Sequence, residues 1–136
     1  MWVCKLFHYM GPLLANCVLI VDDNEMVRRG LRCLFESEPA FKVCGEAVDG
    51  RDAIEKAREL KPDLIVLDFS MPGMNGLESA RILSNMKPSA MILLFTMHRN
   101  VVADRDARAA GINAVVSKSE GAGILISQAQ TLLGLS

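Results

Sequence analysis

No segment of this 136-residue chain concentrates Lys and Arg, and its formal net charge is −1. A surface that grips nucleic acid needs a dense basic footprint, so this domain alone is a poor candidate for direct nucleic-acid binding. No C-x-x-C pair occurs among Cys4, Cys17, Cys33 and Cys44, and His8 and His98 lie far apart. Zinc ligation and a disulfide framework are therefore not expected, and buried, reduced thiols in a cytoplasmic protein are. No glycine-rich phosphate loop follows the first apolar run, which argues against a nucleotide-binding fold. Long apolar runs are missing too. Lys5, His8 and Gly11-Pro12 break up the first sixteen residues well short of the roughly 20 that a spanning helix needs. A basic start and a small-residue cleavage site, the marks of a signal peptide, are weak there. Residues 1–16 read as an N-terminal extension of one of two kinds. Either the start codon is placed too early and Met10 is the true start, or an extra segment packs on the domain surface. No membrane association is expected.

The rest reads as one folded domain, residues 17–136. Its hydrophobic share (51%) and charged share (23%) are those of a globular chain long enough to bury a core. Strand-like and helix-like patterns alternate with short turns, the signature of βα units around a parallel sheet, an α/β doubly wound architecture. Strands are expected at 18–21, 41–47, 63–67, 91–95 and 113–117. Helices are expected at 25–36, 51–60, 77–86, about 100–110 and about 121–133. In the first helix Met26, Val27, Gly30, Leu31, Leu34 and Phe35 form the inward set, and Arg28, Arg29, Arg32 and Glu36 face out. The fourth helix has few large apolar residues beyond Val101 and Val102 and should be loosely held, ending at Gly111 as a C′ glycine. The last helix carries no charged residue from Gly121 to Leu133. Its apolar surface exceeds one stripe and predicts a two-fold homodimer through that helix.

Chemistry collects where the apolar runs stop. Asp22-Asp23, Asp68, Thr96 and Lys118 each follow a strand-like run, and in an open parallel sheet the ligand crevice lies beyond the strands' carboxyl ends. Three carboxylates on one rim repel one another unless a cation intervenes. Hard oxygen ligands of that kind suit Mg²⁺. An aspartate can act as a nucleophile toward phosphorus, while Lys118 and the Thr96 hydroxyl can hold the transferred oxygens. Taken singly, each residue has a plainer role: Asp23 as a helix N-cap, Asp68 as a loop carboxylate capping amides, Thr96 bonded to backbone, Lys118 as a solvated charge. Their joint placement favours the phosphoryl site.

Four stretches carry a family resemblance: Val-Leu-Ile-Val-Asp-Asp-Asn-Glu-Met-Val-Arg-Arg-Gly-Leu (18–31), Val-Cys-Gly-Glu-Ala-Val-Asp-Gly-Arg-Asp-Ala (43–53), Pro-Asp-Leu-Ile-Val-Leu-Asp-Phe-Ser-Met-Pro-Gly-Met-Asn-Gly-Leu-Glu (62–78) and Leu-Phe-Thr-Met-His (94–98). Residues 17–136 resemble the receiver domain of bacterial two-component response regulators, in particular the NarL/LuxR-type branch of transcription regulators. The resemblance implies a flavodoxin-like, three-layer α/β/α fold with five parallel strands in the order 2-1-3-4-5. It implies that Asp68 accepts a phosphoryl group from a sensor histidine kinase. Asp23, Asp68 and the Ser70 carbonyl would ligate Mg²⁺, with Asp22 acting through a water and Thr96 and Lys118 gripping the phosphoryl oxygens. The product would be a cytoplasmic signalling switch with slow self-dephosphorylation, not a metabolic enzyme. One departure is Val115, where receivers usually place Tyr or Phe; another is the bulky Met97 after the threonine.

Two other functions compete. A receiver-fold interaction module that works without phosphorylation would tolerate Val115 but has little reason to hold the whole acid set. A Mg²⁺-dependent phosphohydrolase would show Asp-x-Asp at the nucleophile, whereas this chain has Asp68-Phe-Ser70.

Overall fold

Short, wholly apolar runs form the centre of the molecule, because a strand covered by helices on both faces has no polar side. The computed structural model describes residues 15–86, 89–97 and 102–135. In chain order these form β1 (Asn16–Val21), α1 (Glu25–Glu36), β2 (Phe41–Ala47), α2 (Gly50–Leu60), β3 (Leu64–Leu67), α3 (Gly76–Met86), β4 (Met91–Thr96), α4 (Asp104–Ala109), β5 (Ala114–Ser117) and α5 (Ala122–Leu132). All five strands run parallel in the order β2-β1-β3-β4-β5, the doubly wound arrangement expected from the sequence. The chain leaves β1 first toward β2 and then returns to its other side through β3, so the switch point lies at the carboxyl ends of β1 and β3.

Alternate strand residues feed two cores. Leu19, Val21, Ile65, Leu67, Ile92 and Leu94 pack under α2, α3 and α4 with Ala53, Ala57, Ala80 and Leu83. Val18, Ile20, Leu64, Val66, Leu93 and Phe95 pack under α1 and α5 with Leu31, Phe35, Leu125 and Ala129. Each large side chain taken fully from water contributes roughly 1.5–3 kcal/mol. No helix among the described residues is long and apolar enough to cross a membrane.

Several expectations are corrected. Met26 is 74% exposed rather than part of the core. Arg28 does not face out: its side chain is only 14% exposed and lies against β2, where Glu46 receives it. The expected helix near 100–110 is six residues, Asp104–Ala109, with Ala103 giving no side-chain cap. Its expected end holds, with Gly111 at φ +87° just after the helix. A single 3₁₀ turn at Lys118–Glu120 separates β5 from α5. Among the described residues, the cysteines are not buried, reduced thiols. Cys17 and Cys44 form a disulfide with Cα atoms 5.5 Å apart, and Cys33 is exposed and unpaired. A bulge brings the pair together: Val18 pairs with Val43 and Leu19 with Gly45, so Cys44 is skipped in the register. The N-terminal extension up to residue 14 and the stretch 98–101 lie outside the described residues.

Candidate functional site

Each candidate side chain sits where a strand runs out. Asp22 follows β1 directly and is 2% exposed, while Asp23 is exposed beside it. Asp68 follows β3 and is buried; Ser70 lies two residues on, exposed in the loop to α3. Thr96 ends β4, buried and in register with Ser117 of β5. Lys118 opens the 3₁₀ turn. That turn is fixed by a capping box in which Ser117 Oγ accepts the Ser119 N–H and Glu120 accepts the Ser117 N–H.

The cap of α1 separates two readings of the acidic pair. Asn24, not Asp23, is the N-cap, its side chain accepting the Val27 N–H at 3.1 Å. Asp23 is thereby spared that role. The ligand oxygens of Asp22, Asp23 and Asp68 all lie within 4.8 Å of one another. Lys118 Nζ donates to Asp22 Oδ2 at 2.9 Å and lies 3.4 Å from Asp68 Oδ1. It also sits 5.8 Å from the centroid of the Phe95 ring, a cation–π contact that steadies the ammonium.

The electrostatics follow from this crowding. Burial and then the Asp22 charge push the Asp68 carboxyl above its usual value; Lys118 opposes them and Asp23 adds to the rise. Burial works against charge on Lys118, but the hydrogen bond and charge of Asp22, joined by Asp68, outweigh it and hold the lysine above its usual value. One ammonium therefore does not fully compensate three carboxylates. An oxygen-only donor set with unbalanced negative charge fits a hard divalent cation such as Mg²⁺.

Sequence reasoning missed two features here. Arg28 Nη1 donates to the Asp22 carbonyl at 2.8 Å, and Lys118 already pairs with Asp22 without a phosphoryl group. Charge patterning along a helix does not show that a guanidinium six residues past Asp22 folds back onto the carbonyl of that residue. Met97, flagged for its bulk, is exposed next to Thr96.

Known proteins share this frame. Residues 18–130 match the response regulator receiver domain. The protein-glutamate methylesterase/protein-glutamine glutaminase of Thermotoga maritima is 41% identical over 80 residues, covering 59% of this chain and 23% of that protein. The nitrate/nitrite response regulator protein NarL of Escherichia coli K12 is 44% identical over 80 residues, covering 59% of this chain and 37% of that protein. The chain thus spans well under half the length of these relatives. A solved two-component response regulator of the LuxR family from Aurantimonas sp. SI85-9A1 superimposes with a TM-score of 0.83 at 34% identity, covering 88% of this chain and 86% of that one. With the fold, the strand-end acids and the match across most of its length in agreement, this chain belongs to the response regulator receiver domain family.

Proposed function

We propose that this domain is a phosphorylation-activated switch of a two-component relay, with Asp68 as phosphoacceptor and a sensor histidine kinase as donor. The observation that carries this reading is the convergence of three carboxylates within 4.8 Å, with Lys118 3.4 Å from Asp68. In the transfer, an Asp68 oxygen attacks phosphorus as the P–N bond of the kinase's phosphoimidazole breaks, and the electron pair stays on the ring nitrogen. Asp22, Asp23, Asp68 and the Ser70 carbonyl would hold Mg²⁺, which when bound neutralises charge on the phosphoryl oxygens. Lys118 is already within reach of the acceptor and needs to exchange only a carboxylate contact for a phosphoryl one. Thr96, at the adjoining strand end, supplies its hydroxyl. The reaction is confined to this acceptor and its slow hydrolysis, so the domain acts as a cytoplasmic signal carrier rather than a metabolic enzyme. Copies of the domain associate through α5, whose Ile124 is 43% exposed.

Incubation with acetyl phosphate and Mg²⁺, followed by intact mass, tests the reading. Wild-type protein gains one phosphoryl group and Asp68→Asn gains none. Full labelling of Asp68→Asn overturns the assignment. Val115, half-buried against the core where receivers usually place an aromatic, favours a phosphorylation-independent module instead. Wild-type protein that takes up no phosphoryl group would support that second reading.

A further inference from the structure

The peptide plane between Asp22 and Asp23 carries two of the three carboxylate residues, and its orientation decides where both side chains point. A peptide plane turns as a unit about its flanking dihedrals, so holding its oxygen restrains both residues at once. Arg28 holds that oxygen: its Nη1 donates to the Asp22 carbonyl at 2.8 Å. On the other side of the residue, the Asp22 N–H donates to the Ala47 carbonyl at 3.0 Å. The Asp22 carboxylate in turn accepts the Asn24 N–H at 2.9 Å. The turn is thus gripped from β2, from α1 and from its own next residues.

Arg28 is itself anchored. Its Nε donates to Glu46 Oε1 at 3.0 Å, and Glu46 Oε2 accepts Arg32 Nε at 2.7 Å. Lys56 of α2 donates to the Glu46 backbone carbonyl. Glu46 is therefore the hub that ties α1, β2 and α2 together, and the Arg28 guanidinium is the arm that reaches from this hub to the acidic rim. Its bonds use two edges of a planar fork, a geometry a flexible ammonium cannot reproduce in full.

We propose that Arg28, anchored by Glu46, is a positioning residue for the acidic site: it sets the β1–α1 turn so that Asp22 and Asp23 converge on Asp68. The inference rests on the reading that this rim takes Mg²⁺. It also makes a prediction opposite to that of simple field strength. A cation close to three carboxylates weakens their attraction for a second cation, so if Arg28 acted by charge alone, removing it would tighten Mg²⁺ binding. Positioning requires the reverse, because partners that orient metal ligands are worth roughly tenfold or more in affinity.

The test compares wild type, Arg28→Met and Arg28→Lys by backbone NMR, first metal-free and then in a Mg²⁺ titration. Positioning predicts Mg²⁺ binding about tenfold weaker in Arg28→Met, with at least part restored in Arg28→Lys. In the metal-free protein, exchange of the Asn24 amide should quicken severalfold in Arg28→Met while amides of β3 keep their protection. Affinity that is unchanged or tighter in Arg28→Met overturns the proposal, as does uniform quickening across the sheet, which would mark a general loss of stability. A wild type that binds no Mg²⁺ sinks the metal-site reading, and the metal-free exchange arm still judges Arg28. Should Arg28→Met fail to fold, Glu46→Ala leaves the guanidinium but removes its anchor and is read by the same Asn24 exchange. Unchanged Asn24 exchange in that variant would overturn the role of the hub.

Discussion

Asp68 is held in a place that disfavours its charge, and this gives stability a definite dependence on pH. Its folded carboxyl binds a proton more tightly than the ordinary value of 3.8, through burial first and the charge of Asp22 second. Between that ordinary value and the raised one, the folded state therefore binds more protons than the unfolded chain. Stability contributed by Asp68 falls as pH rises through that window, and above it the charged group burdens the fold by a constant amount. Asp68→Asn should raise Tm by a few degrees at neutral pH in metal-free buffer and leave Tm near its wild-type value below the window. A variant less stable than wild type at neutral pH would mean that the contact with Lys118 outweighs the repulsion. Added Mg²⁺ should raise the wild-type Tm and have little effect on Asp68→Asn.

Two glycines make a contrast at the level of elements. A Cβ at Gly76, which opens α3, would lie 2.8 Å from both the Asp68 carbonyl oxygen and the Phe69 Cα, backbone atoms that must shift. Gly30 in α1 has nothing within 4 Å of such a Cβ. Gly30→Ala should stabilise by about 0.5–1 kcal/mol through helix propensity. Gly76→Ala should destabilise by about 1–3 kcal/mol and slow phosphoryl uptake, because the displaced backbone is that of the acceptor; equal behaviour of the two in denaturant melts would refute this. The 97–110 segment is the element expected to carry the output. Among its described residues, α4 is six residues long and buries only Ala107 within the helix. With Val115 in place of a ring that could swing inward, beryllofluoride should shift amides most at 96–110 and little at 113–116. Large changes along β5 would contradict that division. The strands and the acid set were legible because a short, unbroken apolar run flanked by turn residues fits the centre of a parallel sheet, and a charge at its end must then lie on the rim. The inward turn of Arg28 was not, since a guanidinium that finds Glu46 has the same helical spacing as one that finds water. The Cys17–Cys44 bond was hidden for a similar reason: it depends on a bulge in the pairing of two strands, which spacing along the chain does not encode.

For the molecule as a whole, the cross-strand disulfide and the uncharged last helix set the measurable properties. A bond closing a loop of 27-residue separation stabilises by up to about 3.5 kcal/mol in the chain-entropy account. Denaturant melts with and without reductant should differ by no more than that, and Cys44→Ser should be insensitive to reductant. Sedimentation at rising concentration should reveal a dimer, and Ile124→Glu should return it to monomer; a strictly monomeric wild type, with and without beryllofluoride, would remove α5 as the contact. The same bulge that seats Cys44 has another consequence. It interrupts the ladder between β1 and the border strand β2, which also carries exposed Lys42, and at the opposite border β5 is only four residues long. A kinked, charged margin on one side and a stub on the other offer poor templates for an incoming strand. Crowded copies of this protein should therefore resist fibrillar stacking and meet through their helices.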